Sequence, residues 1–156
     1  MLQAAVRPQE INPARLAGLF RKQFELCKVA PGETIAAVTD LGTRPDYVQA
    51  AFAAAEDLGA DAYELRVNAM PGWTKVGVPT IGKCKGTLEA LCAADLMLIF
   101  HVPLFTAWLK TVMASGTRVL MVHDAPDDLE QLMAPAGLKA AVKHAEALYA
   151  GAKRVR

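Results

Sequence analysis

The sequence has few aromatic residues, no excess of charge and no long apolar run, and each absence excludes a class of function. Phe, Trp and Tyr make up 6% of the 156 residues, and the formal net charge is +1. Stacking platforms for nucleobases and basic surfaces for phosphates or acidic lipids are therefore not expected. The longest apolar run, residues 93–104, is interrupted by Asp95, His101 and Pro103 and is too short to span a bilayer. We expect neither a nucleic acid nor a membrane as a partner.

Several motifs that would assign a cofactor or a compartment are also missing. The chain has no GxGxxG and no GxxxxGKS or GxxxxGKT, so dinucleotides and nucleoside triphosphates lack their usual phosphate cradles. Its three cysteines, Cys27, Cys84 and Cys92, show no CxxC spacing, which favours reduced thiols. The first ten residues contain no apolar segment of a signal peptide. We therefore expect a cytoplasmic protein.

The sequence does have enough apolar material for one well-packed domain. Apolar residues make up 53% of the chain, above the roughly 45–50% of typical globular domains. A chain of this length can bury a core of its own, so we interpret residues 1–156 as a single α/β domain. The apolar excess also favours a surface that meets a partner or another domain.

Short apolar runs alternate with helical patterns along the chain. Four runs rich in β-branched and aliphatic residues predict strands at 34–39, 62–67, 96–100 and 117–122. Helical spacing and capping residues predict helices at 13–27, 45–58, 87–94, 104–115 and 137–152, and one that starts at residue 126. This order predicts an open parallel four-stranded sheet, Rossmann- or flavodoxin-like, with right-handed crossovers and helices on both faces.

The predicted strands and loops differ in character. The third strand is wholly apolar and is predicted to be central, whereas the second alternates with polar residues and is predicted to lie at an edge. Residues 68–86 contain six Gly and Pro residues. A loop of this length inside a compact domain is typically either functional or disordered.

Candidate binding residues follow the first strand, because ligands of open α/β sheets bind beyond the carboxyl ends of the strands. Asp40 ends this strand, and Gly42 allows close backbone approach. Thr43 can cap the next helix, whose free N–H groups favour an anion, and Arg44 can hold a carboxylate. We take Asp40, Thr43 and Arg44 as candidate substrate-binding residues. The alternative is that Thr43 only caps the helix and that Arg44 is solvated.

A second group of candidates follows the third and fourth strands. His101, His123 and Asp124 could converge there, and two imidazoles with a carboxylate can act as acid and base or bind a divalent metal. Histidines at strand ends also often bond only to loop backbone. We predict that His101 is catalytic, that His123 and Asp124 bind substrate, and that the chain holds no metal ligand. Trp73, in the long loop, either covers the substrate or pins the loop to an apolar face.

The order and spacing of several segments resemble one family of enzymes. The segments are Cys27-Lys-Val-Ala-Pro-Gly-Glu-Thr34, Ala50-Ala-Phe-Ala-Ala-Ala-Glu-Asp-Leu-Gly-Ala60, Ala93-Ala-Asp-Leu96, Ser115-Gly-Thr-Arg-Val-Leu120 and residues 126–135. Together they resemble the thermophilic aminopeptidase superfamily, and within it the 2,5-dihydroxypyridine 5,6-dioxygenase-like branch. The resemblance covers most of the chain, although no single motif in it is diagnostic.

This resemblance implies a division of labour between two domains. It implies that the chain is the N-terminal domain, which forms one wall of the substrate cleft and some oligomer contacts. The metal ligands of the family lie in a C-terminal domain, so Fe(II) or another divalent metal is expected there and no cofactor in this chain. The resemblance further implies an aromatic or acidic small-molecule substrate, a homo-oligomer or a partner domain, and an isolated chain without activity.

One departure from the family pattern keeps the reaction open. The dioxygenase branch carries a histidine in a Leu-His-Ser-Pro-like loop after the third strand, whereas this chain reads Pro103-Leu-Phe-Thr-Ala107. His101 lies close by but out of register. A metallohydrolase domain similar to the leucyl aminopeptidases therefore remains an alternative, as does a stand-alone module that binds a small molecule or assembles with partners without catalysis.

Overall fold

The computed structural model describes residues 12–68, 81, 85–103, 106–133, 135 and 137–151. Helices and strands alternate along this part of the chain, as the sequence predicts. Their bounds, in chain order, are α1 (Pro13–Leu26), β1 (Thr34–Thr39), α2 (Pro45–Asp57), β2 (Asp61–Arg66), α3 (Lys85–Cys92), β3 (Leu96–Ile99), α4 (Ala107–Ala114), β4 (Arg118–Met121), α5 (Pro126–Gln131) and α6 (Leu138–Gly151).

The four strands form one sheet in the order β2-β1-β3-β4, and every neighbouring pair is parallel. The predicted α/β class with an open parallel sheet is therefore confirmed. β3 is interior and all four of its residues are buried, while β2 lies at an edge with alternating exposed residues. Both positions agree with the expectation from their apolar and alternating sequences.

Local chemistry fixes where the first two helices begin and end. The side chain of Asn12 accepts a hydrogen bond from the backbone N–H of Ala14 at 2.9 Å, and Pro13 occupies the first position of α1. Gly59 ends α2 with a φ of +70°, and a Cβ there would lie 3.4 Å from Cβ of Pro31. Glycine thus allows the turn and the close approach of the α1–β1 connection.

Helices cover both faces of the sheet and bury two apolar clusters. The cluster on the side of α1, α2 and α5 includes Leu16, Phe20, Phe24, Ile35, Leu96 and Leu98. The cluster on the side of α3 and α4 includes Ala36, Val38, Leu91, Met97, Ile99 and Trp108. Successive residues of β1 and β3 alternate between the clusters, so these two strands are buried on both faces.

Arg118 at the start of β4 joins three elements at the amino end of the sheet. Its guanidinium donates to the carbonyl oxygens of Cys27 and Lys28 at 2.6 and 2.7 Å. It also pairs with the carboxylate of Glu33 at 2.5 Å. These bonds hold the end of α1 and the entry to β1 against β4.

The structure corrects the predicted bounds in several places. α3 begins at Lys85 rather than residue 87, and α4 spans Ala107–Ala114 within the predicted 104–115. The cap position of α2 is Arg44, whose side chain makes no capping bond, so the prediction that Thr43 caps this helix is wrong. The long loop predicted at 68–86 lies largely outside the described residues. Among the helices that are described, none is long and apolar enough to cross a bilayer.

Removing a side chain from the doubly covered sheet should be costly. We expect Leu98→Ala to lower the free energy of unfolding by about 2–5 kcal/mol, because it leaves a cavity in a fully buried site. Leu132→Ala, at a side chain that is 66% exposed, should change it by no more than about 0.5 kcal/mol. Urea unfolding followed by circular dichroism measures both, and equal effects would contradict the described core.

Candidate functional site

The strand order creates a switch point between β1 and β3. From β1 the chain passes to β2 on one side, and it then returns to β3 on the other side. In open α/β sheets such a point leaves a crevice beyond the carboxyl ends of the two strands, and ligands bind there. The candidate site is therefore built from the residues that follow β1 and β3.

The register of the sheet brings Asp40 and His101 to the same level. Val38 pairs with Ile99 in the last rung between β1 and β3, and Asp40 and His101 each lie two residues further on. Neighbouring strands run about 4.8 Å apart, so the two backbones leave the sheet side by side. Burial lowers the pKa of the His101 imidazole, and the charge of the Asp40 carboxylate acts in the opposite direction.

Asp40 is held in a compact turn. One of its carboxylate oxygens accepts hydrogen bonds from the backbone N–H of Gly42 at 2.8 Å and from the hydroxyl of Thr43 at 3.0 Å. The backbone N–H of Asp40 lies 2.9 Å from the same hydroxyl. The hydroxyl of Thr43 therefore orients the Asp40 carboxylate instead of capping α2.

His101 is the least satisfied polar side chain of this region. Both of its ring nitrogens are buried, and neither has a hydrogen-bond partner among the described residues. Burial lowers the pKa of His101 below its usual value, and the nearby Asp40 carboxylate opposes this shift. The lowered pKa favours the neutral imidazole, in which one nitrogen can donate and the other can accept.

Arg44 lies near the site with its charge already paired. Its guanidinium makes two hydrogen bonds to the carboxylate of Asp46, at 3.0 and 2.6 Å, and lies 5.2 Å from the ring centre of Tyr47. This ion pair raises the pKa of Arg44 and lowers the pKa of Asp46. The Asp46 carboxylate also accepts a hydrogen bond from the backbone N–H of Tyr47 at 3.1 Å. A carboxylate of the protein itself thus occupies the start of α2.

His123 and Asp124 pair with each other rather than with His101. Nδ1 of His123 lies 3.3 Å from a carboxylate oxygen of Asp124. The register of β3 with β4, in which Ile99 pairs with Met121, brings His123 level with His101. Even so, within the described part of the chain, no hydrogen bond or ion pair joins His101 to either residue. The expected convergence is thus present in the backbone but not in side-chain contacts.

Sequence reasoning missed Tyr47, which supports the site, and Trp108, a buried aromatic of the core. The hydroxyl of Tyr47 donates to the backbone carbonyl of Asp124 at 2.7 Å, and burial raises its pKa to about 12. Its ring packs against Phe100, which directly precedes His101, with ring centres 6.0 Å apart. Trp108 is 5% exposed, and its buried indole nitrogen has no partner among the described residues. In the sequence, the only signal for Tyr47 and Trp108 is that each lies on the apolar stripe of a helix. That position predicts packing and no functional role.

A small cavity of about 170 Å³ lies on the β2 side of Asp40. Its charged lining groups are Asp40, Glu64 and Arg66, and Glu64 accepts a hydrogen bond from the hydroxyl of Thr39. This volume is below the roughly 300–1,000 Å³ of typical ligand pockets. The described residues therefore form an open edge with polar groups rather than an enclosed pocket.

Two further expectations concern Trp73 and metal ligation. Trp73 lies outside the described residues, so its predicted role as a lid stays a prediction. Within the described ranges, no group of three or more His, Cys, Asp or Glu side chains is arranged to hold a metal ion. The described cysteines, Cys27 and Cys92, are free thiols.

Comparison with known proteins identifies the family. The family model described as 2,5-dihydroxypyridine 5,6-dioxygenase matches residues 15–156. The chain belongs to this family. A 2,5-dihydroxypyridine 5,6-dioxygenase of Pseudomonas putida KT2440 is 29% identical over 150 residues. That match covers 88% of this chain but 42% of the relative, so the chain spans about two fifths of the relative's length.

Solved structures agree with the family assignment. The structure of the 2,5-dihydroxypyridine dioxygenase from Pseudomonas putida KT2440 matches with a TM-score of 0.78 at 25% identity, over 92% of this chain and 44% of that one. A structure of VinN with L-aspartate matches with a TM-score of 0.50 at 17% identity, over 77% of this chain and 29% of that one, which shows a shared fold alone. The predicted resemblance to the 2,5-dihydroxypyridine 5,6-dioxygenase family is confirmed.

The protonation of His101 can be measured directly. We expect its imidazole to titrate below the usual pKa of about 6.5 in NMR, and Asp40→Asn to lower that pKa further because the opposing carboxylate is lost. Asp127→Asn, on α5, should leave it unchanged. The stabilisation from burying the neutral ring is fully present above the unfolded pKa and is lost as pH falls through the folded pKa. A His101 pKa at or above 6.5 would contradict its burial.

The bond from Tyr47 to Asp124 should contribute measurable stability. Tyr47→Phe removes the hydroxyl and leaves the Asp124 carbonyl without this donor, which should cost about 0.5–1.5 kcal/mol. Tyr149→Phe, at a side chain that is 69% exposed, is the matched control and should be neutral. In an absorbance titration the ionisation near pH 12 should disappear with Tyr47→Phe only. Its persistence would assign it to another tyrosine.

Proposed function

We propose that this chain is the N-terminal domain of an enzyme that cleaves a hydroxylated pyridine or a similar ring with dioxygen. In this proposal it forms one wall of the substrate cleft. Membership of the family supports the reaction class. The observation that carries the site assignment is His101, whose two buried nitrogens have no partner among the described residues at the switch point of the sheet. Buried polar groups are rarely left unpaired, so a bound ligand is the natural partner.

The chemistry of the site suits such a ring. A neutral imidazole presents one donor and one acceptor, and a hydroxylated pyridine presents the complementary hydroxyl and ring nitrogen. In the proposed role, His101 accepts the proton of a ring hydroxyl, which makes the ring more electron-rich and therefore easier to oxidise. The Asp40 carboxylate then favours the imidazolium that forms.

The other candidates have supporting roles in this proposal. The hydroxyl of Thr43 orients the Asp40 carboxylate. Arg44 holds an acidic group of the substrate by sharing its guanidinium with Asp46, and Trp73 covers the ring. His123 and Asp124 form the border of the site on the β4 side. The hydroxyl of Tyr47 holds the backbone there by its hydrogen bond to the carbonyl of Asp124.

The same proposal covers the metal ion, the oligomeric state and the cellular compartment of the enzyme. The described residues do not make up an iron site, so none of the roles given to this chain involves metal ligation. Fe(II) or another divalent metal, which supplies the activation of dioxygen in this proposal, binds in a part of the family's longer polypeptide that the match does not cover. We further propose a homo-oligomeric cytoplasmic enzyme that shares its ancestry with the aminopeptidases.

The proposed role of His101 can be tested in the protein made from the whole reading frame that encodes this chain. Ring cleavage is followed by the loss of 2,5-dihydroxypyridine absorbance. We expect His101→Ala to lower kcat by about 10²–10⁴, as typically follows the loss of a general base. Lys22→Ala, at an exposed position of α1, is the control and should leave kcat unchanged. Full activity of His101→Ala would contradict the assignment.

The isolated 156-residue chain distinguishes this proposal from a stand-alone binding module. We expect calorimetry to detect neither tight Fe²⁺ or Zn²⁺ binding nor tight binding of the ring substrate by this chain. Stoichiometric metal in the purified chain would count against a separate metal domain. Tight binding of the substrate without turnover would favour a module that binds small molecules without catalysis.

A further inference from the structure

Helix α6 is amphipathic, yet none of its residues is buried. It spans Leu138–Gly151, and every side chain along it is exposed. The large apolar side chains Leu138, Val142, Leu148 and Tyr149 are 44%, 48%, 62% and 69% exposed. By contrast, α1 has the same length and buries four of its residues. A helix with an apolar face normally obtains its stability by packing that face.

The apolar residues of α6 form one continuous stripe. At about 100° per residue, they fall within an arc of about 120° that contains no polar side chain. Its members are Leu138, Ala141, Val142, Ala145, Leu148 and Tyr149. Lys139, Lys143 and Glu146 lie together along one border of the arc, and His144 lies along the other. We call this set of six apolar residues the α6 stripe.

The width of the α6 stripe indicates what covers it. A two-stranded coiled coil uses a narrower seam of two positions per heptad, whereas a helix on a globular core uses three. The α6 stripe has three per heptad: Leu138, Ala141 and Val142, then Ala145, Leu148 and Tyr149. Two members of the stripe, Leu138 and Val142, line a groove of about 540 Å³ together with the polar border of α6 and the exposed Leu26. The described body of the domain does not fill the space beside this part of the helix.

The comparisons point to an occupant in the family's longer polypeptide. The match covers 42% of the Pseudomonas putida relative, so more than half of that relative lies outside it. We propose that the α6 stripe is the docking face for that remaining part of the family's polypeptide. This inference rests on the proposed function, because it assigns the contact through which the cleft wall is joined to the rest of the enzyme.

The test compares two glutamate substitutions at neighbouring positions of the same helix. Leu148→Glu introduces a charge into the α6 stripe, and Ala147→Glu introduces the same charge on the opposite side of the helix. In the protein from the whole reading frame, we expect Leu148→Glu to lower Tm by about 4 °C or more and Ala147→Glu to change it by less than about 1 °C. In the 156-residue chain both should be neutral, because both side chains are exposed there.

Each result separates the docking proposal from the proposed function. If the whole protein cleaves the ring substrate and tolerates Leu148→Glu as well as Ala147→Glu, the docking proposal is wrong and the proposed function stands. If the reading frame ends at Arg156, the proposed function fails. Sedimentation of the 156-residue chain then shows whether a second copy covers the α6 stripe. A dimer that Leu148→Glu dissociates assigns the stripe to a second copy, and a monomer leaves it without an occupant; both results overturn the proposal.

Discussion

The parallel pairing of β1 with β3 determines most of what this domain can do. Both strands are buried on both faces, so the alternation of their side chains between the two clusters fixes their register. A slip by one residue would exchange the two faces of a strand. The same register aligns the carboxyl ends of the strands, and Asp40 and His101 therefore leave the sheet as neighbours. The site is a consequence of core packing, although neither residue belongs to the core.

The energetics of His101 argue for a role beyond packing. An unpaired buried polar group costs about 1–3 kcal/mol, and this imidazole leaves two nitrogens without partners among the described residues. An apolar side chain of similar size would fill the same space without that cost. The neighbouring Asp40 favours a protonated ring, whereas burial opposes it.

The sequence was sufficient for the elements and the class of fold, but not for the contacts of the site. Apolar runs and caps predicted all four strands and the central position of β3, because periodicity and burial are local signals. The pairing of Arg44 with Asp46 sets a cation beside a carboxylate at the start of α2, where the helix dipole favours only the carboxylate, and the sequence does not say which partner each takes. The bond from Tyr47 to Asp124 joins positions 77 residues apart, so only the assembled fold reveals it.

Helices α1 and α6 show that an amphipathic pattern can lead either to a buried face or to an exposed one. Both have 14 residues and an apolar face, and α1 packs its face on α2 and the sheet. α6 follows α5, after the sheet already has helices on both faces, and none of its side chains is buried against the described part of the domain. The apolar excess of the sequence is thus not all core. Part of it is concentrated on the exposed face of one helix, and the docking proposed above would turn that face into an interface.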